Sequence, residues 1–334
     1  MLTAPAPSRR RHRLRAGVAV VAATLVTSGL AACGSADTAD NAASAADTDR
    51  VITTSTGDVT VPANPTRVVA GTAWAVNTLL DLGVTPVGAF NGADNVVLAK
   101  YRDAMRSVAN ISADDGYSDD LEKIAALKPD VAFTFASSES LDKEKQLVPT
   151  IGQDSANATW QELTAQVAEV IGKQDEFEKL AQEYADRLAA LKNAYGDTIA
   201  ATTWYVVQSG GDKGANATLY APANTEAGVI ISSLGGTFGP AEEGTTYGDD
   251  NSSGAPLSDE RLSELGDADA IVVWDNGDEP SAQATALYAQ PLWKRLPAVT
   301  GDAILRTSMP GSYGQALDFL DRLETLCARL QQKS

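Results

Sequence analysis

Histidine, cysteine and basic side chains are scarce in this 334-residue chain. It has one His, two Cys, and 26 Lys+Arg against 44 Asp+Glu, for a formal net charge of −18. Two thiols cannot build a disulfide framework or a four-thiolate metal site. The shortage of cations excludes nucleic acid as a partner, because a phosphate backbone is bound by clustered Lys and Arg. Hydrophobic residues are not scarce: at 44% they supply a buried core and exclude wholesale disorder. The length suggests about two units of ~150 residues each.

Residues 1–33 read as a signal peptide. Arg9, Arg10, Arg11, Arg13 and Arg15 form a basic head, followed by the uncharged, mostly apolar stretch Ala16–Leu30. Those fifteen residues fall short of the ~20 that span a bilayer. The run Leu30-Ala31-Ala32-Cys33-Gly34 resembles a bacterial lipobox, which implies cleavage before Cys33 and a lipid on its thiol. The chain is then anchored to the outer face of the bacterial cytoplasmic membrane. Arg9-Arg10-Arg11 lacks the hydrophobic pair of a twin-arginine signal.

Removing residues 1–33 takes away five arginines, no acids and His12. It leaves 21 basic residues against 44 acidic, a net of −23, and no histidine. The commonest metal ligand and the commonest general base are both absent from what remains. With Cys33 lipidated, only Cys327 is left. It falls at helical spacing with Leu317, Leu320, Leu323 and Leu330, as a small buried hydrophobe does.

Residues 34–50 carry no large apolar side chain and read as a disordered tether. Its reach as a flexible coil is roughly 20–25 Å. Beyond it, strand and helix patterns alternate, which predicts an α/β protein with parallel sheets. Residues 51–158 form an N-terminal α/β lobe. It opens on a hairpin over 51–61 turning at Thr56-Gly57-Asp58. Strands follow at 67–70, 84–90 and 131–135, and helices at 75–82 and 121–127. Residues 159–196 are helical, with a break at Gly172; Asp175 with Glu178 fits a capping box. Phe177, Leu180, Ala181, Tyr184, Leu188 and Leu191 make one apolar stripe on a long, rigid helix. Residues 197–334 form a C-terminal α/β lobe with strands at 203–207, 270–274 and 301–306 and helices at 227–234, 257–265 and 315–330.

A weak repeat aligns Leu121–Val131 with Asp259–Asp269. Each is a helix that opens on acids and runs into an apolar strand, so the lobes look pseudo-equivalent. These segments, together with Val61–Val69, Leu79–Gly88, Ser258–Leu262 and Gln290–Val299, resemble the solute-binding proteins of ferric-siderophore, haem and cobalamin ABC importers. The similarity covers about residues 51–330 and rests on the order and spacing of the segments. It implies the class III periplasmic-binding-protein fold: two Rossmann-like lobes joined by a single long rigid helix, with ligand bound between them. It also implies a lipid-anchored monomer that delivers its ligand to an ABC-importer permease. An acid on each lobe, by motif position Glu122 and Glu260, would dock onto that permease. Taken alone, each is also a favourable first-turn acid on a helix.

In open α/β sheets, ligands lie outside the carboxyl ends of the strands. Trp74, Phe90, Tyr117, Gln208, Tyr220, Tyr247, Trp274, Arg306 and Tyr313 fall at or near such places and are the expected ligand-binding residues. Trp160, Trp204 and Trp293 are assigned to packing. Aromatic walls suit a bulky chelate. Arg306 is the one cation expected near the cleft, with Lys100, Arg102 and Arg106 on a solvated helix face. That favours a neutral or cationic ferric hydroxamate over an anionic catecholate, with haem or cobalamin as the alternative. The iron would be held by the chelator, so no cofactor and no protein metal ligand are expected. A lipid-anchored hydrolase is the rival of another class, but there is no Gly-x-Ser-x-Gly elbow. The acid pairs Asp114-Asp115, Asp119-Asp120, Glu242-Glu243 and Asp249-Asp250 read as solvated loops.

Overall fold

A computed structural model describes residues 48–114, 116, 118–210, 215, 217–239, 254–275, 280–308 and 311–333. Cys33, Tyr117 and Tyr247 lie outside the described residues. Residues rich in β-branched side chains form an antiparallel hairpin, β1 (Arg50–Thr54) and β2 (Gly57–Val61). Gly57 takes a φ of 104°, which a side chain would resist. Arg50 pins the hairpin by donating to Glu169 O at 2.8 Å and Val170 O at 2.7 Å.

The N-lobe is a wholly parallel five-stranded sheet in the order β5-β4-β3-β6-β7. Its strands are β3 (Val68–Ala70), β4 (Gly88–Ala89), β5 (Ala109–Asn110), β6 (Val131–Phe135) and β7 (Thr150–Gln153). The helices are α1 (Ala73–Asp81), α2 (Arg102–Met105), α3 (Leu121–Leu127) and α4 (Leu141–Glu144). The strand expected over 84–90 shrinks to two residues. Pro86 has no N–H to give a strand that pairs on both sides.

Two helices follow, α5 (Trp160–Val170) and the 28-residue α6 (Gln174–Ala201). The capping box sits on α5, where Thr159 and Glu162 satisfy each other's backbone N–H. The one expected at Asp175 and Glu178 does not form: α6 begins at Gln174, so Asp175 already lies inside the helix. The apolar stripe of α6 is divided between two cores. Phe177 and Leu180 pack on the N-lobe core, while Tyr184, Leu188 and Leu191 pack on the C-lobe core.

The C-lobe sheet runs β11-β9-β8-β12-β13, with β10 also paired to β8. The strands are β8 (Thr203–Ser209), β9 (Ala217–Tyr220), β10 (Thr237–Phe238), β11 (Ala255–Leu257), β12 (Ala270–Trp274) and β13 (Ile304–Thr307). The helices are α7 (Glu226–Ser233), α8 (Ala282–Ala289), α9 (Pro297–Thr300) and α10 (Tyr313–Gln331). This sheet is mixed, not wholly parallel. β9 is antiparallel to β8 and β11 to β9. The link from Ser209 to Ala217 is too short for the crossover a parallel pair needs. The helix expected over 257–265 is also revised: Leu257 ends β11, and a 3-10 helix covers Glu260–Leu265. α10 packs on both α6 and the N-lobe helix α1.

The two lobes share an anchor, one residue out of register with the sequence repeat, in which Asp130 aligns with Ala268. Asp130, just before β6, accepts from the backbone N–H of Thr66 (2.7 Å) and Arg67 (2.8 Å) at the start of β3. Asp269, just before β12, accepts from Thr203 N–H (2.9 Å) at the start of β8. Burial pushes the Asp130 pKa up, but the bonds from Arg67 and Thr66 outweigh it and hold the pKa below the usual carboxylate range. The stabilisation is therefore present at neutral pH and lost as pH falls through the lowered value. Asp130→Asn is expected to cost about 1 kcal/mol at pH 7 for this solvent-screened group. Urea unfolding across pH checks it: the gap to wild type should close in acid.

Burial pushes the Cys327 thiol up to about 12, and the side chain is wholly inside the C-lobe core. Trp204 and Trp293 are buried there too, as assigned.

Candidate functional site

The N-lobe wall is set by a close backbone crossing. Gly71 N–H donates to Phe133 O at 2.8 Å, and a Cβ on Gly71 would stand 2.6 Å from that oxygen. Only glycine lets the chain leave β3 so close to β6. Thr72 then caps α1, accepting from Ala75 N–H at 3.2 Å, which puts Trp74 in the first turn. Trp74 meets Phe135 edge-on, with ring centroids 5.9 Å apart and planes at 79°. Phe135 ends β6 with 40% of its surface exposed. Sequence reasoning passed over Phe135, although it closes an apolar strand just as Trp274 does. Phe90 is elsewhere. It lines a separate hollow of about 430 Å³ with Asn91, Arg102, Met105, Arg106 and Asn110. Arg102, half-buried, edges this hollow, whereas Arg106 borders it as a solvated side chain, as expected, paired with Asp103 at 3.1 Å.

Asp119 also departs from expectation. It is half-buried and accepts from Thr134 Oγ1 at 3.0 Å, and burial raises its pKa. Its neighbour Asp120 caps α3 instead, accepting from Glu122 and Lys123 N–H at 3.0 and 3.1 Å. Glu144 is buried and bonded to Ser140 Oγ at 2.5 Å. Burial raises its pKa, that bond lowers it, and the Asp119 charge adds to the rise.

The C-lobe wall gathers three of the expected residues. Gln208 and Trp274 are directly paired across β8 and β12, and Tyr220 reaches the same face from β9. Tyr220 OH donates to Gln208 Oε1 at 2.8 Å, and its ring lies 5.9 Å from that of Trp274. Arg306 on β13 is in register with Val273 and so lies on the other face of the sheet, with Nη1 3.3 Å from Asp275 Oδ2.

Tyr313 is placed differently from expectation. It starts α10, and its ring contacts Trp160 (5.0 Å), Phe177 (5.2 Å) and Tyr184 (5.5 Å), all edge-on. This cluster joins α5, α6 and α10, so the ring serves packing at the seam between lobes. Burial raises the Tyr313 pKa and pushes that of Tyr184 up to about 12. A second contact closes the seam: Asp81, the last residue of α1, accepts from Tyr101 OH at 2.9 Å and from Gly314 N–H at 2.8 Å. Gln315 adds Nε2–H to Val96 O at 2.7 Å. Burial raises the Asp81 pKa against the bonds that lower it. Between the lobes lies a cavity of about 490 Å³, bordered by Val97–Tyr101 on one side and Arg306–Ser308 on the other.

Each lobe thus carries an aromatic pair, and the lobes are joined by α6 and held by α10 against α1. The periplasmic binding protein family model matches residues 68–307, most of the chain and both sheets. The chain belongs to the periplasmic binding protein family. It is 26% identical over 280 residues to a probable siderophore-binding lipoprotein, YfiY, of Bacillus subtilis, covering 81% of this chain and 83% of that one. The siderophore periplasmic binding protein from the fuscachelin gene cluster of Thermobifida fusca superposes with a TM-score of 0.68. It is 25% identical and covers 80% of this chain and 98% of that one. The Bacillus subtilis iron-uptake system-binding protein FeuA shares the fold at 20% identity, with a TM-score of 0.66, over 83% of this chain and 100% of that one. The family is one of solute-binding proteins and not enzymes.

In this periplasmic binding protein, Glu122 and Glu260 are exposed and open the corresponding segments of the two lobes. Glu122 is the second residue of α3. Glu260 begins the 3-10 helix and accepts from Ser258 Oγ at 3.1 Å. Both segments leave the carboxyl ends of same-sense strands, so both acids stand on the carboxyl-end rim of their own sheet.

Proposed function

We propose that this protein captures a ferric siderophore between its lobes and delivers it to an ABC-importer permease, tethered to the membrane through a lipid on Cys33. The observation that carries the reading is the pair of aromatic walls, Trp74 with Phe135 and Tyr220 with Trp274. Flat apolar rings on both lobes suit the organic shell of a bulky chelate. The chelator supplies every iron ligand, and the protein holds no cofactor of its own. The siderophore-binding relatives in Bacillus and Thermobifida support this substrate class.

We further assign the chelate to the neutral or cationic hydroxamate type. Several cations near the hollows are answered by an acid: Arg306 by Asp275, Arg322 by Asp318 and Arg106 by Asp103. A trianionic catecholate needs unanswered charge. Delivery uses Glu122 and Glu260 as the contacts to the permease, and the protein works as a monomer.

Fluorescence titration tests this reading. Ferric trihydroxamates should quench the tryptophan emission with micromolar or tighter affinity, and ferric tricatecholates should not. Tight catecholate binding with no hydroxamate binding overturns the hydroxamate assignment. Saturable binding of haem or cobalamin alone moves the protein to another ligand class.

A further inference from the structure

We propose that Gln153 positions the N-lobe aromatic wall, holding Trp74 against Phe135 through the cap of α1; the inference rests on the siderophore reading above, which gives that wall to the ligand. Gln153 ends β7 and is wholly buried. An amide side chain is mostly exposed in proteins, and a buried one has its hydrogen bonds made. Gln153 stands directly opposite Phe135 in the pairing of β6 with β7, so the two side chains share one face of the sheet. Being buried, it acts on the ligand only through the wall and is a positioning residue.

The amide is bonded at both ends. Its Nε2–H donates to Leu163 O of α5 at 3.0 Å, and its Oε1 accepts from Thr72 Oγ1. Thr72 is itself buried, and its Oγ1 accepts from Ala75 N–H at 3.2 Å, the bond that caps α1. Each group has one possible orientation. A carbonyl only accepts, so Leu163 O takes the NH2 end of the amide and leaves Oε1 for Thr72. The Thr72 oxygen receives Ala75 N–H on a lone pair, and its single proton goes to Gln153. A chain of three bonds thus runs from α5 through the end of β7 to the first turn of α1. Trp74 lies in that turn, two residues beyond the cap.

In a buried chain of this kind, each lost bond leaves a polar group without water to replace its partner. Without Gln153 Oε1 the Thr72 hydroxyl must turn toward another acceptor. Its lone pair then leaves Ala75 N–H, and the first turn of α1 loosens. The edge-on contact of Trp74 with Phe135 depends on the spacing between the start of α1 and the end of β6. Gln153 is joined to both, by register to Phe135 and by the cap to the helix that carries Trp74. Trp74 also faces the other lobe: it packs on the C-lobe core, and a Cβ on Gly311 would stand 3.4 Å from its Cδ1. A shift at the cap is therefore carried to a ring at the boundary between the lobes.

The experiment measures affinity for a neutral ferric trihydroxamate by isothermal titration calorimetry, with near-ultraviolet circular dichroism of the same samples. The difference between wild type and Trp74→Ala defines the Trp74 band. Gln153→Met keeps the length of the side chain and removes both bonds; it should weaken binding about tenfold and change the Trp74 band. Thr72→Val should do the same, whereas Thr72→Ser keeps the hydroxyl and should bind within about threefold of wild type. In a Trp74→Ala background, Gln153→Met should cost less than about threefold more, because it acts through the ring. A folded Gln153→Met protein whose affinity or Trp74 band matches wild type overturns the inference, as does a loss of about tenfold that persists without Trp74. If Gln153→Met does not fold, the two Thr72 variants decide. A loss in Val with retention in Ser upholds the inference, and equal affinities refute it. Wild-type protein that binds no ferric chelate overturns the siderophore reading alone, and the Trp74 band of Gln153→Met then decides the positioning role.

Discussion

Reversing both rim acids, Glu122→Arg with Glu260→Arg, is expected to reduce import to the background of a strain lacking the protein. Ligand affinity of the purified double variant should match wild type within experimental error. The reasoning is electrostatic. Both side chains are exposed; Glu122 gives its backbone N–H to the Asp120 cap, and the Glu260 carboxylate accepts from Ser258 Oγ. Their removal therefore leaves the aromatic walls intact. At a desolvated protein interface, loss of one member of a charge pair costs roughly 2–5 kcal/mol. Reversing two such acids lowers docking by more than about a thousandfold. Radiolabelled-iron uptake and fluorescence titration on the same variants separate the two quantities. Continued uptake would reduce both acids to favourable first-turn charges on their helices.

Trp204→Ala is expected to have the largest effect on stability. Trp204 is wholly buried at the start of the central C-lobe strand, and its Nε1–H donates to Ile199 O at 3.0 Å. That bond ties the last turn of α6 to the sheet it feeds. Alanine leaves a large cavity and removes one of the two donors to Ile199 O, the other being Thr202 N–H, at a cost of about 3–5 kcal/mol. A typical domain has only about 5–15 kcal/mol in total. Urea unfolding followed by circular dichroism should show a midpoint far below wild type. Trp204→Phe, which keeps most of the volume but loses the donor and part of the ring system, should fall between the two, at ~1–3 kcal/mol. Equal losses for Phe and Ala would show that the hydrogen bond, and not the packing, dominates.

Several elements were legible because their causes are local. Leu121–Leu127 is helical over the expected span, and its end is marked by Lys128 in the left-handed region just before Pro129. Gly83 and Gly235 stop helices with positive φ. The α6 stripe reads off at helical spacing, although the division of that stripe between two cores does not. The missed features have distant causes. Phe135 reaches Trp74 only because β3 and β6 are neighbours in the sheet. Tyr313 leaves the cleft because α10 folds back onto α6 and meets three rings there. Asp119 looked like half of a solvated acid pair, and only its position beside Thr134 buries it.

By itself, the sequence determined the α/β alternation, the long helix and the scarcity of histidine and cations that points away from catalysis. These depend on composition and on contacts a few residues apart, where periodicity and capping act. Only the tertiary structure decided which aromatics pair and which arginine is answered. Asp275 and Arg306 stand 31 residues apart in the chain and meet because β12 and β13 lie side by side. Such a meeting follows from strand order, which no local pattern encodes. Arg306, which borders the interlobe cavity along with Lys100 and Arg322, meets its buried counter-charge Asp275 only through that strand order.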